Sequence, residues 1–79
     1  NRVDYMKYKV GDKVRLKDDL RHGDCNGYYV CYMNNFKGKD LTIAAMEEIN
    51  GITIYTIEED KDDIKWKFVE EMFEETTSN

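Results

Sequence analysis

The residues best suited to metal or thiol chemistry are few: one histidine, His22, and two cysteines, Cys25 and Cys31. The C-x5-C spacing matches neither a C-x2-C redox pair nor a zinc finger, and a zinc site needs two further ligands where the chain offers a single histidine. A Cys25–Cys31 disulfide across a turn at Asn26–Gly27 is sterically conceivable, but free structural thiols fit a reducing compartment better. His22 lies between Arg21 and Gly23 with no Ser or Cys partner at a recognisable spacing, which reads as an exposed loop histidine. The acidic run Glu58-Glu59-Asp60 with Asp62 and Asp63 matches a calcium loop in composition only, because the D-x-[DN]-x-[DN]-G order is missing. The five glycines are scattered at 11, 23, 27, 38 and 51 and build no phosphate-cradling loop. These residues therefore predict no catalytic group, no metal and no cofactor. The expectation is a protein that is not an enzyme and works by binding.

Length and charge narrow the partners. Seventy-nine residues allow a single small hydrophobic core. A formal net charge of −5 argues against a non-specific DNA binder, which needs a basic footprint. No apolar run approaches the ~20 residues of a membrane span, and no signal-peptide pattern occurs, so the expected location is the cytoplasm. The charge is also uneven. Residues 1–20 are net +2, residues 21–46 net +1 and residues 47–79 net −8. A solvated acidic tail is the simpler reading of that last third. An acidic contact surface for a basic partner is the sharper one.

The elements that must position these residues can be read from periodicity. Val10, Val14 and Leu16 share one face at period two, with Lys13 and Arg15 on the other, which predicts a strand over Val10–Leu16. Residues 17–37 are rich in turn formers and predict a long loop, within which Tyr32–Phe36 makes a helical turn that tucks Met33 and Phe36 under the fold. Leu41, Ile43 and Ala45 alternate with Thr42, Ala44 and Met46 in a strand over Leu41–Glu47. Asn50-Gly51 is a hairpin signal, because both residues tolerate positive φ, and Ile52–Glu58 is the returning strand. After a turn at Glu59–Asp63, Ile64, Trp66 and Phe68 share the core face of a last strand. Val69, Met72 and Phe73 then form one apolar face of a terminal helical turn. Four or five short antiparallel strands bury their faces by rolling into a small barrel, and a long first loop before a meander is the layout of SH3-like barrels, so the fold class is mainly β.

Several stretches carry a resemblance. Lys9-Val-Gly-Asp-Lys-Val-Arg15, Gly38-Lys39 with Leu41-Thr-Ile43, Tyr55-Thr-Ile-Glu-Glu-Asp60, Trp66, and Glu71-Met-Phe-Glu74 resemble, in that order, a family of small SH3-like proteins of Firmicutes bacteria and their phages. The resemblance spans most of residues 6–74 and implies a fold and a phage or prophage association, with no catalytic residue to carry over. The chain departs from the family around Lys61-Asp-Asp-Ile64, where relatives tend to be Gly-rich. The expected domain covers residues 6–75. Residues 1–5 are then an extension or an expression remnant, and residues 76–79 a frayed tail.

A binding role directs attention to the aromatics and acids. Tyr28, Tyr29 and Tyr32 of the long loop and Glu58, Glu59 and Asp60 of the acidic turn are the candidate partner-binding residues, since tyrosines are large, fairly rigid and amphipathic at interfaces. Tyr28 and Tyr29 are adjacent, so an extended chain points them apart and leaves at least one partly exposed. Trp66 is assigned to the core. The leading expectation is a non-enzymatic module for an unidentified protein partner. One alternative is single-strand nucleic-acid binding by a basic stripe of Lys7, Lys9, Lys13, Arg15 and Lys17 with stacking aromatics. Another is an acidic inhibitor that mimics phosphates in a host defence protein. The expected state is a monomer or a weak homodimer, with Ile52–Ile57 as the pairing strand if it lies at an edge.

Overall fold

The computed structural model describes residues 8–74. The expectations for residues 1–7, including Lys7 of the basic stripe, and for residues 75–79 lie outside the described residues. The first strand, β1, is Lys13–Arg15, the second, β2, is Asp40–Ile49, and the third, β3, is Ile52–Ile57. They form one antiparallel sheet in the order β1-β2-β3. Two short 3-10 helices complete the fold, Cys31–Phe36 in the long loop and Glu70–Met72 near the end. The protein is mainly β, with an open three-stranded sheet.

The hairpin forms as its turn dictates. Asn50 (φ 52°) and Gly51 (φ 81°) both take the left-handed values of a two-residue type I′ turn, and Ile49 faces Ile52 across it. The expected alternation in β2 does not run through. A bulge between Ile43 and Ala45 adds a residue opposite Ile57 and Thr56. One extra residue moves every later side chain to the opposite face. Leu41 and Ile43 are buried, but Ala45 is exposed and Met46 takes up the packing against the core.

Two more expectations need correction. The first strand is shorter than Val10–Leu16, and Val10 is exposed rather than on the core face. A turn closes here instead. The Asp12 N–H donates to the Lys9 carbonyl at 3.0 Å, Gly11 adopts φ 95°, and the pleat restarts after it. The last strand, Ile64–Phe68, is absent. Only Phe68 reaches the sheet, exchanging both main-chain hydrogen bonds with Tyr55 at 2.7 and 2.9 Å. Ile64 is 84% exposed and Trp66 is half-buried, stacked on Tyr32 with ring centroids 5.9 Å apart. The cause is Asp60. Its buried carboxylate accepts the N–H groups of Asp62 (3.1 Å) and Trp66 (2.8 Å), which coils the segment into a loop and leaves no extended run to pair.

The core forms beneath the sheet. Leu16, Tyr29, Met33, Leu41, Ile43, Ile54, Tyr55, Ile57, Phe68 and Met72 are buried, and Phe36 packs against them. Tyr8, Tyr55, Phe68 and Phe73 meet in an aromatic cluster with centroids 5.5 to 6.3 Å apart. The helical turn at Tyr32–Phe36 and the apolar face of Val69, Met72 and Phe73 are as read from the sequence. Phe68–Glu74 touches both outer edges of the sheet. Phe68 bridges to Tyr55 on the β3 side, while Phe73 bridges to Leu16 and the Glu74 N–H donates to the Arg15 carbonyl at 2.8 Å on the β1 side.

Candidate functional site

The long loop is internally bonded. The Gly23 N–H reaches the Tyr29 carbonyl (2.8 Å), the Tyr29 N–H reaches the Asp24 carbonyl (3.0 Å) and the Tyr28 N–H reaches the Cys25 carbonyl (3.1 Å). This closure needs consecutive left-handed residues, and Cys25 (φ 60°), Asn26 (φ 59°) and Gly27 (φ 88°) supply them. The tight turn separates the two neighbouring tyrosines. Tyr29 is fully buried, its hydroxyl donating to Asn34 Oδ1 at 2.6 Å and its ring lying 5.9 Å from Lys37 Nζ. Burial pushes its phenol pKa up, with the Cys31 sulfur adding to the shift. Tyr28 is half-buried and lines a groove.

That groove has a volume of roughly 760 Å³. Four separated parts of the chain wall it: the Cys25–Tyr28 turn, Glu48 near the end of β2, Gly51 of the hairpin turn with Ile52 and Thr53 at the start of β3, and Val69–Glu71. Tyr28, Ile52 and Val69 give it an apolar lining, and the exposed Glu48, Glu70 and Glu71 stand at its rim. Among the described residues none of these three carboxylates is in an ion pair; the pairs present are Lys9–Asp12, Arg15–Asp40 and Arg15–Glu74. A second depression adjoins at Cys25 and Glu71 and carries Asp18, Asp19, Asp24 and Glu74 beside the single cation Lys17. Burial pushes the Cys25 thiol up, and Glu71 and Asp24 push it further, so it stays protonated at neutral pH. Cys25 and Cys31 are both free thiols, and His22 Nδ1 accepts the Cys31 N–H at 3.1 Å.

The acidic turn is built differently. Glu59 accepts the Thr42 N–H (2.9 Å) and the Thr42 hydroxyl (3.0 Å), and that same hydroxyl accepts Lys13 Nζ at 2.9 Å. Burial works to raise the Glu59 pKa, but the Thr42 bonds and Lys13 prevail and hold it below the ordinary carboxylate value. Asp60 is 2% exposed and fully engaged with the backbone around it. Of the candidate partner-binding residues, Tyr29 and Asp60 thus present no surface, and Glu59 is held within the fold's own hydrogen bonds. Tyr28, Tyr32 and Glu58 remain accessible, and the structure brings only Tyr28 into the groove. Of its companions, Ile52 was marked only as the start of a possible edge strand and Val69 only as part of an apolar helical face, while Glu48, Glu70 and Glu71 had no signal beyond the −8 charge of residues 47–79.

Other chemistry is limited. Among the described residues no group of three or more His, Cys, Asp or Glu side chains could hold a metal, and no helix is long and apolar enough to cross a membrane. The basic stripe on β1 is partly neutralised, since Arg15 pairs with Asp40 at 2.8 Å and with Glu74 at 3.9 Å. No protein-family model, curated protein or solved structure matches this chain.

Proposed function

We propose that this chain is a non-enzymatic protein-binding module of a phage or prophage, related in architecture to small SH3-like barrels, with its binding surface at the groove beneath Tyr28. The observation that carries the binding role is an apolar lining of Tyr28, Ile52 and Val69 edged by three exposed carboxylates that are in no ion pair among the described residues. Apolar floors with polar rims are the common anatomy of protein interfaces. The barrel reading draws on the way Phe68–Glu74 touches both sheet edges, and the phage association on the sequence resemblance. An acidic inhibitor of a basic host protein is one case of the same module.

The test is affinity capture from a bacterial lysate followed by titration of the captured partner against Tyr28→Ala and Tyr32→Ala variants. Tyr28→Ala is expected to weaken binding by roughly tenfold or more, as truncation of a central interface tyrosine does, with Tyr32→Ala near wild type. Equal affinity for wild type and Tyr28→Ala defeats the assignment.

A second reading has one observation in its favour. Tyr32 is 73% exposed and stacked on Trp66, with Lys65 and Lys67 beside it in the chain, as in a platform for single-stranded bases. Lys65 Nζ, however, is bonded to the Asp60 carbonyl at 2.8 Å. A gel-shift assay with single-stranded DNA and RNA at low salt separates the two readings, and no shift removes this one.

A further inference from the structure

We infer that the groove receives an extended, basic segment of a partner protein, which pairs with the outer edge of β3 at Thr53 and directs Lys or Arg side chains at Glu48, Glu70 and Glu71. This deepens, and rests on, the protein-binding reading above.

The edge follows from register. Tyr55 turns its N–H and C=O outward to Phe68, away from β2. Main-chain groups two residues apart on a strand point to the same side. Thr53 therefore also presents its N–H and C=O outward, and Thr53 lines the groove. Among the described residues no hydrogen bond takes up those two groups. The chain that covers the β3 edge at Phe68 turns away into the Glu70–Met72 helix, which opens the groove beside Thr53. An unpaired donor and acceptor at a strand edge are a template for a strand from another chain.

Charge selects the segment. Glu48 lies across from Thr53 in the β2–β3 register, and Glu70 and Glu71 line the same groove. The adjoining depression continues the negative surface through Asp18, Asp19 and Asp24. An acidic or neutral strand gains nothing from this rim, whereas a basic one does. Alternating apolar and basic residues let one extended chain meet the apolar lining and the charged rim together, because successive side chains point to opposite sides.

The probe is a capped heptapeptide of alternating Lys and Val, titrated into the isotope-labelled protein while backbone amide shifts are followed. Two comparison peptides are an alternating Glu and Val heptapeptide and the Lys peptide with its central Val N-methylated. The expected result is shifts at Thr53, Cys25 and Val69 with the Lys peptide, weakening as salt is raised. The Glu70→Gln/Glu71→Gln variant is expected to lose roughly fivefold to tenfold in affinity, as two exposed charge contacts allow. N-methylation is expected to cost about tenfold, through loss of edge pairing. Absence of shifts at millimolar peptide, equal binding of the Glu peptide, indifference to N-methylation, or Thr53 shifts that track protein concentration without peptide each overturn the inference. The last of these identifies a second copy as the occupant. A captured partner that depends on Tyr28 but ignores Glu70→Gln/Glu71→Gln overturns this inference while leaving the binding-module reading intact.

Discussion

Two acidic regions of this chain have similar composition and opposite uses. In the turn at Glu58–Asp63, Glu59 and Asp60 accept main-chain N–H groups and hold the fold together. At the groove, Glu48, Glu70 and Glu71 are exposed, in no ion pair among the described residues, and gathered from two distant stretches. Tyr29 and Tyr28 repeat the contrast within a single dipeptide, one engaged in the core and one left at the surface. A carboxylate or phenol already engaged by the fold has little left to offer a ligand. Density of such groups along the chain therefore identifies neither kind of site; their hydrogen-bond partners do.

The contrast can be broken most sharply at the tyrosines. Tyr29→Ala is expected to destabilise the protein by about 3–5 kcal/mol, because it empties a fully enclosed site. Tyr28→Ala should cost no more than about 1 kcal/mol, as a half-exposed position. Chemical denaturation of the two variants checks this, and similar losses for both erase the distinction. Next in size, Asp60→Ala is expected to cost about 2–3 kcal/mol, since it strands the Asp62 and Trp66 N–H groups. The emission of Trp66, the only tryptophan, should shift red as its loop opens.

A smaller effect is expected on acidification. The Glu59 carboxyl sits below its ordinary value of 4.5 in the folded state, so its contribution is present above that value and fades as pH falls through the lower, folded one. Glu59→Gln should flatten that part of the stability–pH curve. The loss is smaller than for Asp60, because Glu59 is exposed and partly screened by solvent. Smallest of all, Glu70→Gln/Glu71→Gln should leave thermal stability within about 0.5 kcal/mol of wild type. A large loss there means the rim is structural and abolishes the difference between the two regions.

Much of the fold was legible because it depends on neighbours in the chain. Asn50-Gly51 requires no distant contact to turn, and Val69, Met72 and Phe73 show their common face through local spacing. The errors arise where one residue acts at a distance or resets a period. The Ile43–Ala45 bulge exists only in the pairing of two strands and hands the inward position from Ala45 to Met46. Asp60 captures the Trp66 N–H six residues away, and the alternation of Ile64, Trp66 and Phe68, sound as a strand pattern, is then never used as one.

The groove lay further out of reach. Tyr28 could be singled out as an interface residue, but Ile52, Val69, Glu70 and Glu71 have no mutual spacing that marks them as neighbours.

The sequence by itself determined a small, mainly β fold, its central hairpin, its two helical turns and the concentration of negative charge after residue 46. Local backbone preference and side-chain period suffice for those. Tertiary structure alone decided which acids and tyrosines the core would engage and which would meet around an open strand edge. That choice depends on which main-chain donors still need an acceptor once the chain is folded, and no local pattern records it.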